Sequence, residues 1–363
     1  MMKSFTVTKS DISKHLDRLS RIAPASSTTP ILESVMVKVE EDTIKLTAGN
    51  DETKVVINAG RVFDSSGDVS FCTNAKQLSD SISKMPESPI RFIYNEKENS
   101  IVIDYGLGEV KFATFDPDLY PSINIIEGET ITLNEENIKR IGKAFNFTSN
   151  DELRPITMGV LIDTKNGNIA STNQISVYMS KGLEISESIE PFVVTRGVNM
   201  AIKGFSELKV KANDSTANFF NDDVFISTTL MEGHFPNYLA VIPSLKDKVV
   251  FNRQDILNTI DRAMLCASDF MPVIRFQFGD KSFVESEDLM NGKKFKEDIN
   301  CTSEVDTFIK LTGDLLKSSL VNVGYKDVAI RCVNTNTPVL ISGYISDKEI
   351  VDNEEVILVA PRA

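Results

Sequence analysis

At 363 residues the chain is long for a single hydrophobic core, and 41% hydrophobic with 25% charged residues excludes a disordered or fibrous polypeptide. A formal net charge of −13 excludes a surface that grips nucleic acid over its whole extent, so any basic surface has to be local. Four scattered cysteines (Cys72, Cys266, Cys301 and Cys332) with no Cys-x-x-Cys pair point to reduced thiols in a cytoplasm, not to a disulfide framework or a zinc site.

The N-terminal Met1-Met2-Lys3-Ser4-Phe5-Thr6 leads straight into an alternating strand pattern without the apolar stretch of a signal peptide. No apolar run reaches the ~18 residues of a membrane span. The strand through Phe5 and Val7 runs into Thr8, able to N-cap, and then into helical spacing at Ile12, Leu16 and Leu19. Strands are predicted over 34–39, 43–48, 54–59, 90–94, 101–104 and 109–114, with a helix through Leu78 and Ile82 after Phe71-Cys72-Thr73. Tyr105-Gly106-Leu107-Gly108 resembles half of a glycine-rich phosphate loop but precedes a strand, so it is read as a hairpin turn.

The same order then recurs. Ile131-Thr132-Leu133-Asn134 leads into a helix through Ile138, Ile141 and Phe145, and Val193-Val194-Thr195 into one through Met200 and Phe205. Val249-Val250-Phe251-Asn252 leads into Ile256, Ile260 and Ala263, and Lys310-Leu311-Thr312 into Leu315 and Leu320. Thr8, Asn134 and Asn252 are each followed three positions on by Asp or Asn, close to a capping box. Ile12, Ile138 and Ile256 fall at nearly constant intervals, as do Thr73, Thr195 and Thr312. Polar crossovers at 122–129 and 243–248 divide the chain into modules 1–127, 128–247 and 248–363. The predicted class is α+β: three repeated modules, each of two helices on antiparallel sheets.

Such modules suit a curved wall with helices on its inner face, and head-to-tail contacts that close give a ring. Lys14, Arg18 and Arg21 form a basic stripe beside the Ile12/Leu16/Leu19 face, and Lys139, Arg140 and Lys143 repeat it. Arg196 and Lys203 follow on the next helix, and the third module is poorer, with Arg253, Arg262 and Lys317. Enzyme motifs are lacking: there is no P-loop, Gly-x-Ser-x-Gly or His-Glu-x-x-His, and the carboxylates at Glu135/Glu136 and Glu354/Glu355 read as solvated charge. His15 and His234 are expected at the surface, and no metal or cofactor is expected.

Thr29-Pro30-Ile31-Leu32, Leu46-Thr47-Ala48-Gly49-Asn50-Asp51, Met158-Gly159-Val160-Leu161, Gly233-His234-Phe235-Pro236-Asn237-Tyr238 and Leu358-Val359-Ala360-Pro361-Arg362, in this order, resemble the bacterial β sliding clamp. That family comprises the processivity subunits of replicative DNA polymerase, and the resemblance covers essentially the whole chain. It implies a non-enzymatic head-to-tail homodimer that encircles duplex DNA without reading sequence. The basic residues named on the first two modules' helices, together with Lys76, would face the DNA. It also implies a pocket for a short linear peptide of the polymerase, the clamp loader and repair factors. Position by position, that pocket would involve Gly159, Ser171, Thr172, Asn173, Gln174 and Ile175, then Pro236, Val241 and Phe270, and finally Leu358, Val359, Ala360 and Pro361. The ring contact would set Val110 and Phe112 against Met264 and Leu265. The family commonly has Asp-Gly-His-Arg-Leu where this chain has Thr172-Asn173-Gln174-Ile175-Ser176, and an arginine near Leu239 and Ala240; both bear on peptide preference. The alternative is an interaction protein of the same modular fold that does not encircle DNA.

Overall fold

The computed structural model describes residues 2–346, 349–350 and 355–362. Its described residues carry six α-helices: α1 (Lys9–Ile22), α2 (Ala75–Lys84), α3 (Glu135–Ala144), α4 (Arg196–Ile202), α5 (Arg253–Met264) and α6 (Gly313–Asn322). Each follows directly on a strand, as the repeat predicts. Ile12, Leu16 and Leu19 on α1 are buried, as are Ile138 and Ile141 on α3 and Ile256, Ile260 and Ala263 on α5. The helical period therefore marks the core face.

The capping differs among them. Asn134 and Asn137 cap reciprocally, the N–H of Asn137 donating to Asn134 Oδ1 at 2.9 Å and the N–H of Asn134 to Asn137 Oδ1 at 3.2 Å. Asn252 Oδ1 accepts from Gln254 and Asp255, whereas the Thr8 side chain makes no cap bond. For α2 the cap is Asn74, one residue beyond the predicted threonine. Helix α4 ends at Ile202, before Phe205, and buries Val198, Ala201 and Ile202 while Met200 is exposed.

The chain forms two compact units, residues 1–138 with 186–231 and residues 139–185 with 232–363. In the first, a four-stranded antiparallel sheet orders Met2–Thr8, Pro89–Asn95, Ser100–Asp104 and Glu109–Ala113. The turn at Tyr105–Gly108 is the predicted hairpin, with Gly106 at φ +84° and Tyr105 N–H donating to Gly108 O at 3.1 Å. A second sheet runs Val69–Asn74, Ser34–Glu40, Thr43–Gly49, Thr53–Arg61, Val224–Thr229, Thr216–Phe220, Glu207–Ala212 and Ile131–Asn134. Helix α1 packs on α2 and α4.

The second unit has its own long sheet through Val160–Asp163, Asn168–Thr172, Ser176–Lys181, Glu355–Val359, Val339–Ser346, Asp327–Arg331 and Lys248–Asn252. Its four-stranded sheet orders Lys293–Asp298, Phe283–Asp288, Val273–Phe278 and Thr307–Thr312, with α5 and α6 on one face.

These units cut across the sequence repeats because sheets fuse over the repeat boundaries. Val55 pairs with Ile226, and a buried Thr53–Thr228 hydroxyl contact of 2.9 Å ties the strands further. Ser176 likewise pairs with Val359. The crossover near 122–129 is equally tied down. Buried Asn218 accepts from the Ile126 N–H at 2.8 Å and donates to the Asn124 carbonyl at 3.0 Å.

Gly49 closes the turn between Thr43–Gly49 and Thr53–Arg61, and a Cβ there would stand 2.5 Å from the Thr53 carbonyl oxygen. The Thr53 and Lys54 backbone of the facing strand cannot yield without opening the hairpin. Gly49→Ala should therefore destabilise the protein by about 2 kcal/mol, read from the urea midpoint, in keeping with overpacking at a tight site.

Candidate functional site

The expected peptide pocket lies within the second unit. Strands Asn168–Thr172 and Ser176–Lys181 are joined by a turn that its own side chains stabilise. Asn173 Oδ1 accepts from the N–H groups of Ile175 (3.1 Å) and Ser176 (2.7 Å), while Thr172 Oγ1 donates to the Ser176 carbonyl at 2.8 Å. Gln174 takes the left-handed conformation, φ +74°, and its amide oxygen accepts from Arg154 at 2.6 Å. With Thr172 and Asn173 committed to the turn, Gln174 and Ile175 are the side chains left exposed.

The C-terminal segment closes on this turn. Ala360 N–H donates to the Ile175 carbonyl at 2.9 Å, and Val177 pairs with Leu358. Beyond it, Arg362 N–H donates to the Lys310 carbonyl and its guanidinium to Thr312 Oγ1 at 2.9 Å. Thr312 pairs with Val273, which brings the tail towards the loop carrying Phe270 and Met271. Phe270 is 93% exposed and Val241 51%, so neither is a core residue.

Tyr238 anchors the third wall. Its hydroxyl donates to Asp163 at 2.7 Å and accepts from the Asn168 amide at 2.9 Å, all three side chains being buried. Burial first, and the Asp163 hydrogen bond second, push its phenol well above the usual range. The segment from Pro236 to Val241 is thereby pinned at one residue and presents Pro236, Leu239 and Val241 to solvent. Gly159, Ser171, Leu358 and Val359 are buried and frame the site from behind. Ser171, for example, donates to the Ala144 carbonyl at 2.6 Å. Arg154 and the Tyr238 anchor belong to this region and were not foreseen as part of it; the Phe-Pro-Asn-Tyr motif held the signal for Tyr238.

The basic helix faces divide sharply. Lys14, Lys76, Lys139, Arg196 and Lys203 are exposed. Arg21 is exposed but ion-paired with Asp17 one turn earlier at 2.9 Å. Arg18 lies over the Phe205 ring, 4.3 Å from its centroid, and reaches the Ala201 carbonyl at the end of α4; burial lowers its guanidinium pKa. Arg140 is buried and donates to the Lys181 carbonyl. Lys143 pairs at 2.9 Å with Glu355, which also accepts from the Tyr178 hydroxyl at 2.6 Å. Helical spacing thus places the backbone positions correctly while Arg18, Arg140 and Lys143 turn their charges inward. Glu355 is not the solvated carboxylate expected, because a buried tyrosine and a lysine converge on it; Glu354 lies outside the described residues.

At the expected ring contact, Val110 and Phe112 are half-buried on Glu109–Ala113. Leu265 is 74% exposed, whereas Met264 is half-buried, its sulfur packed so closely on Gly313 that a Cβ there would clash. Among the described residues no cluster of His, Cys, Asp or Glu could hold a metal, and no helix is long and apolar enough to cross a membrane.

These features define a clamp-fold protein whose C-terminal segment closes on the turn at 172–176, beside exposed apolar side chains. Residues 2–124 match the family model for the DNA polymerase III beta subunit, N-terminal domain. The chain is 24% identical to the beta sliding clamp of Staphylococcus epidermidis, over 94% of this chain and 95% of that one. To the beta sliding clamp of Lactococcus lactis it is 25% identical, over 73% and 74%. The crystal structure of a sliding clamp from Pseudomonas aeruginosa bound to griselimycin superposes with a TM-score of 0.90 at 17% identity, covering all of both chains. That of DNA polymerase III beta subunit from Thermotoga maritima gives 0.88 at 17%, again over both chains entirely. Along its whole length the chain is thus similar to bacterial β sliding clamps, and its first third matches the DNA polymerase III beta subunit model.

His15 on α1 is half-buried instead of surface-exposed, and burial, then Lys14 and Arg18, lower its pKa below the ordinary 6.5. The unfolded chain therefore takes up this proton at higher pH than the folded one. The stability His15 contributes is complete above about pH 6.5 and declines as the pH falls below it. Urea midpoints measured from pH 7.5 down to 5.5 should fall less steeply in His15→Gln than in the parent.

Proposed function

We propose that the chain is a DNA polymerase processivity factor. Two copies close head to tail into a ring around duplex DNA, and the ring tethers the replicative polymerase to its template. Each copy contributes three clamp modules, 1–127, 128–247 and 248–363. Topology holds the ring in place, so the net charge of −13 does not oppose the function. Lys14, Lys76, Lys139, Arg196 and Lys203 supply a sparse lining that meets phosphates, in part through water, without reading bases. The cleft around Gln174, Ile175, Val241, Phe270 and Ala360-Pro361 receives the linear motif of the polymerase, the clamp loader and other partners in the cytoplasm. The chain performs no catalysis of its own and needs no cofactor.

The observation that carries the ring is a pair of open sheet edges. The four-stranded sheets end in Glu109–Ala113 and Lys293–Asp298, and each edge strand has unpaired backbone groups to offer a partner. Joining one protomer's first edge to its partner's second would satisfy both, with Val110 and Phe112 meeting Leu265 and Met264. The competing reading, a clamp-fold protein that does not encircle DNA, draws on the inward use of Arg18, Arg140 and Lys143.

Placed on nicked circular duplex by a bacterial clamp loader and ATP, the protein should co-elute with the circles and be lost when a restriction cut linearises them. Equal loss from both forms would reject the ring. Replacing Met264 and Leu265 together by Ala should shift the light-scattering mass from dimer to monomer at micromolar concentration, and an unchanged dimer would reject this contact.

A further inference from the structure

The four-stranded sheet of the second unit covers one face with α5 and α6 and leaves the other to solvent. Alternation is strict along its central strand: Ile274, Phe276 and Phe278 are buried, and Val273, Arg275 and Gln277 point outward. The register sets the outward residues in rows. Lys310 pairs with Arg275, Arg275 with Glu285, and Glu285 with Lys296, a line of three cations around one carboxylate. The next row places Phe308 beside Gln277 and Gln277 beside Phe283.

Charge and aromatic rows interlock. The Arg275 guanidinium sits 4.7 Å over the Phe308 ring, and the Lys296 ammonium 3.6 Å over Phe283. Glu285 is shared between Arg275 at 2.9 Å and Lys296 at 3.2 Å, so both cations are held in place. Among the described residues Lys310 has no carboxylate partner, and Lys294 has only a loose one in Glu287 at 3.9 Å. A groove of about 680 Å³ opens along these rows and ends on Met271 and Val273. Arg275, Lys294, Lys296 and Lys310 against Glu285 and Glu287 give the groove two positive charges in excess, within a chain of net −13.

We propose that this outer sheet face is a docking surface for an acidic peptide segment of a partner protein, its carboxylates meeting Lys310 and Lys294 and an apolar side chain resting on Met271 and Val273. The pre-set cations lower the entropy of forming such pairs, and the apolar end gives the segment a direction. A nucleic-acid strand suits the face less well. Both rings already carry a cation on their faces, which removes them as stacking platforms, and Glu285 and Glu287 interrupt the track a phosphate backbone would follow. The proposal does not depend on the cleft between Gln174 and the C-terminal tail.

Fluorescence anisotropy with the full-length protein tests it. The probe is a short labelled peptide alternating glutamate and leucine, beside its glutamine–leucine counterpart and a labelled oligothymidylate. The acidic peptide should bind and weaken as salt rises. Lys310→Glu and Lys294→Glu, each checked by circular dichroism, should each weaken it by about tenfold. Val241→Asp, a variant of the cleft, should leave it unchanged, so failure of the cleft reading and of this one remain distinct. The proposal is overturned if the acidic peptide fails to bind, if the glutamine–leucine peptide binds equally well, or if both charge reversals leave binding intact. It is equally overturned if oligothymidylate binds and displaces the peptide.

Discussion

Backbone hydrogen bonds between strands drawn from different repeats are the constraint on which the rest of this structure depends. Thr53–Arg61 pairs with Val224–Thr229, and Ser176–Lys181 with Glu355–Val359. Each pairing removes two sheet edges that would otherwise invite aggregation, and turns separate repeats into continuous walls. The outer strands of the shorter sheets stay open for contacts with other molecules. The candidate site draws on the same arrangement, since the strand inside the second unit's long sheet also delivers Ala360 beside Ile175.

The cleft owes its form to polar groups that never reach its surface. A buried aspartate and a buried asparagine hold Tyr238 in place, and Lys143 with Tyr178 holds Glu355 at the start of the strand Glu355–Val359. Unsatisfied, each of these groups would carry the full desolvation penalty of a buried polar atom. Paired through these bonds, they define one position for the chain segments they anchor, while among the described residues the Asn168 amide oxygen has no partner. Exposed apolar side chains such as Val241 and Phe270 can then stay unpartnered without collapsing onto the core, because the backbone beneath them has no freedom to let them in.

The architecture was legible in the sequence wherever a period carried it. Strand alternation located all six strands predicted in the first module to within two residues of their observed ends, and the helical spacing of Ile12, Ile138 and Ile256 named residues that are buried. What the period could not carry was the path of long side chains. Arg18, Arg140 and Lys143 occupy the positions their spacing assigns, yet a ring, a carbonyl and a carboxylate distant in sequence draw their head groups inward. His15 is half-buried for the same reason: a helix face tells which side of the cylinder a residue takes, not what crosses over it. Met200 and Phe205 failed because α4 is short, leaving too few turns for the spacing to fix its phase. Gly159 and Ser171, expected to line the peptide site, are buried, a distinction of depth that motif matching does not resolve.

The strand Glu355–Val359 lies between Ser176–Lys181 and Val339–Ser346, so the second unit's sheet is bridged by a strand made long after one of the two it joins. A ribosome releasing this chain from its N-terminus exposes Ser176–Lys181 long before its neighbour exists. The first unit faces a shorter wait, with Thr53–Arg61 unpaired on one side until Val224–Thr229 emerges. Such long sequence separations slow folding and keep strand edges open during synthesis. The strand Glu355–Val359 therefore also sets the moment at which the second unit can become native, and a chain truncated before residue 355 would lose a central strand of its long sheet.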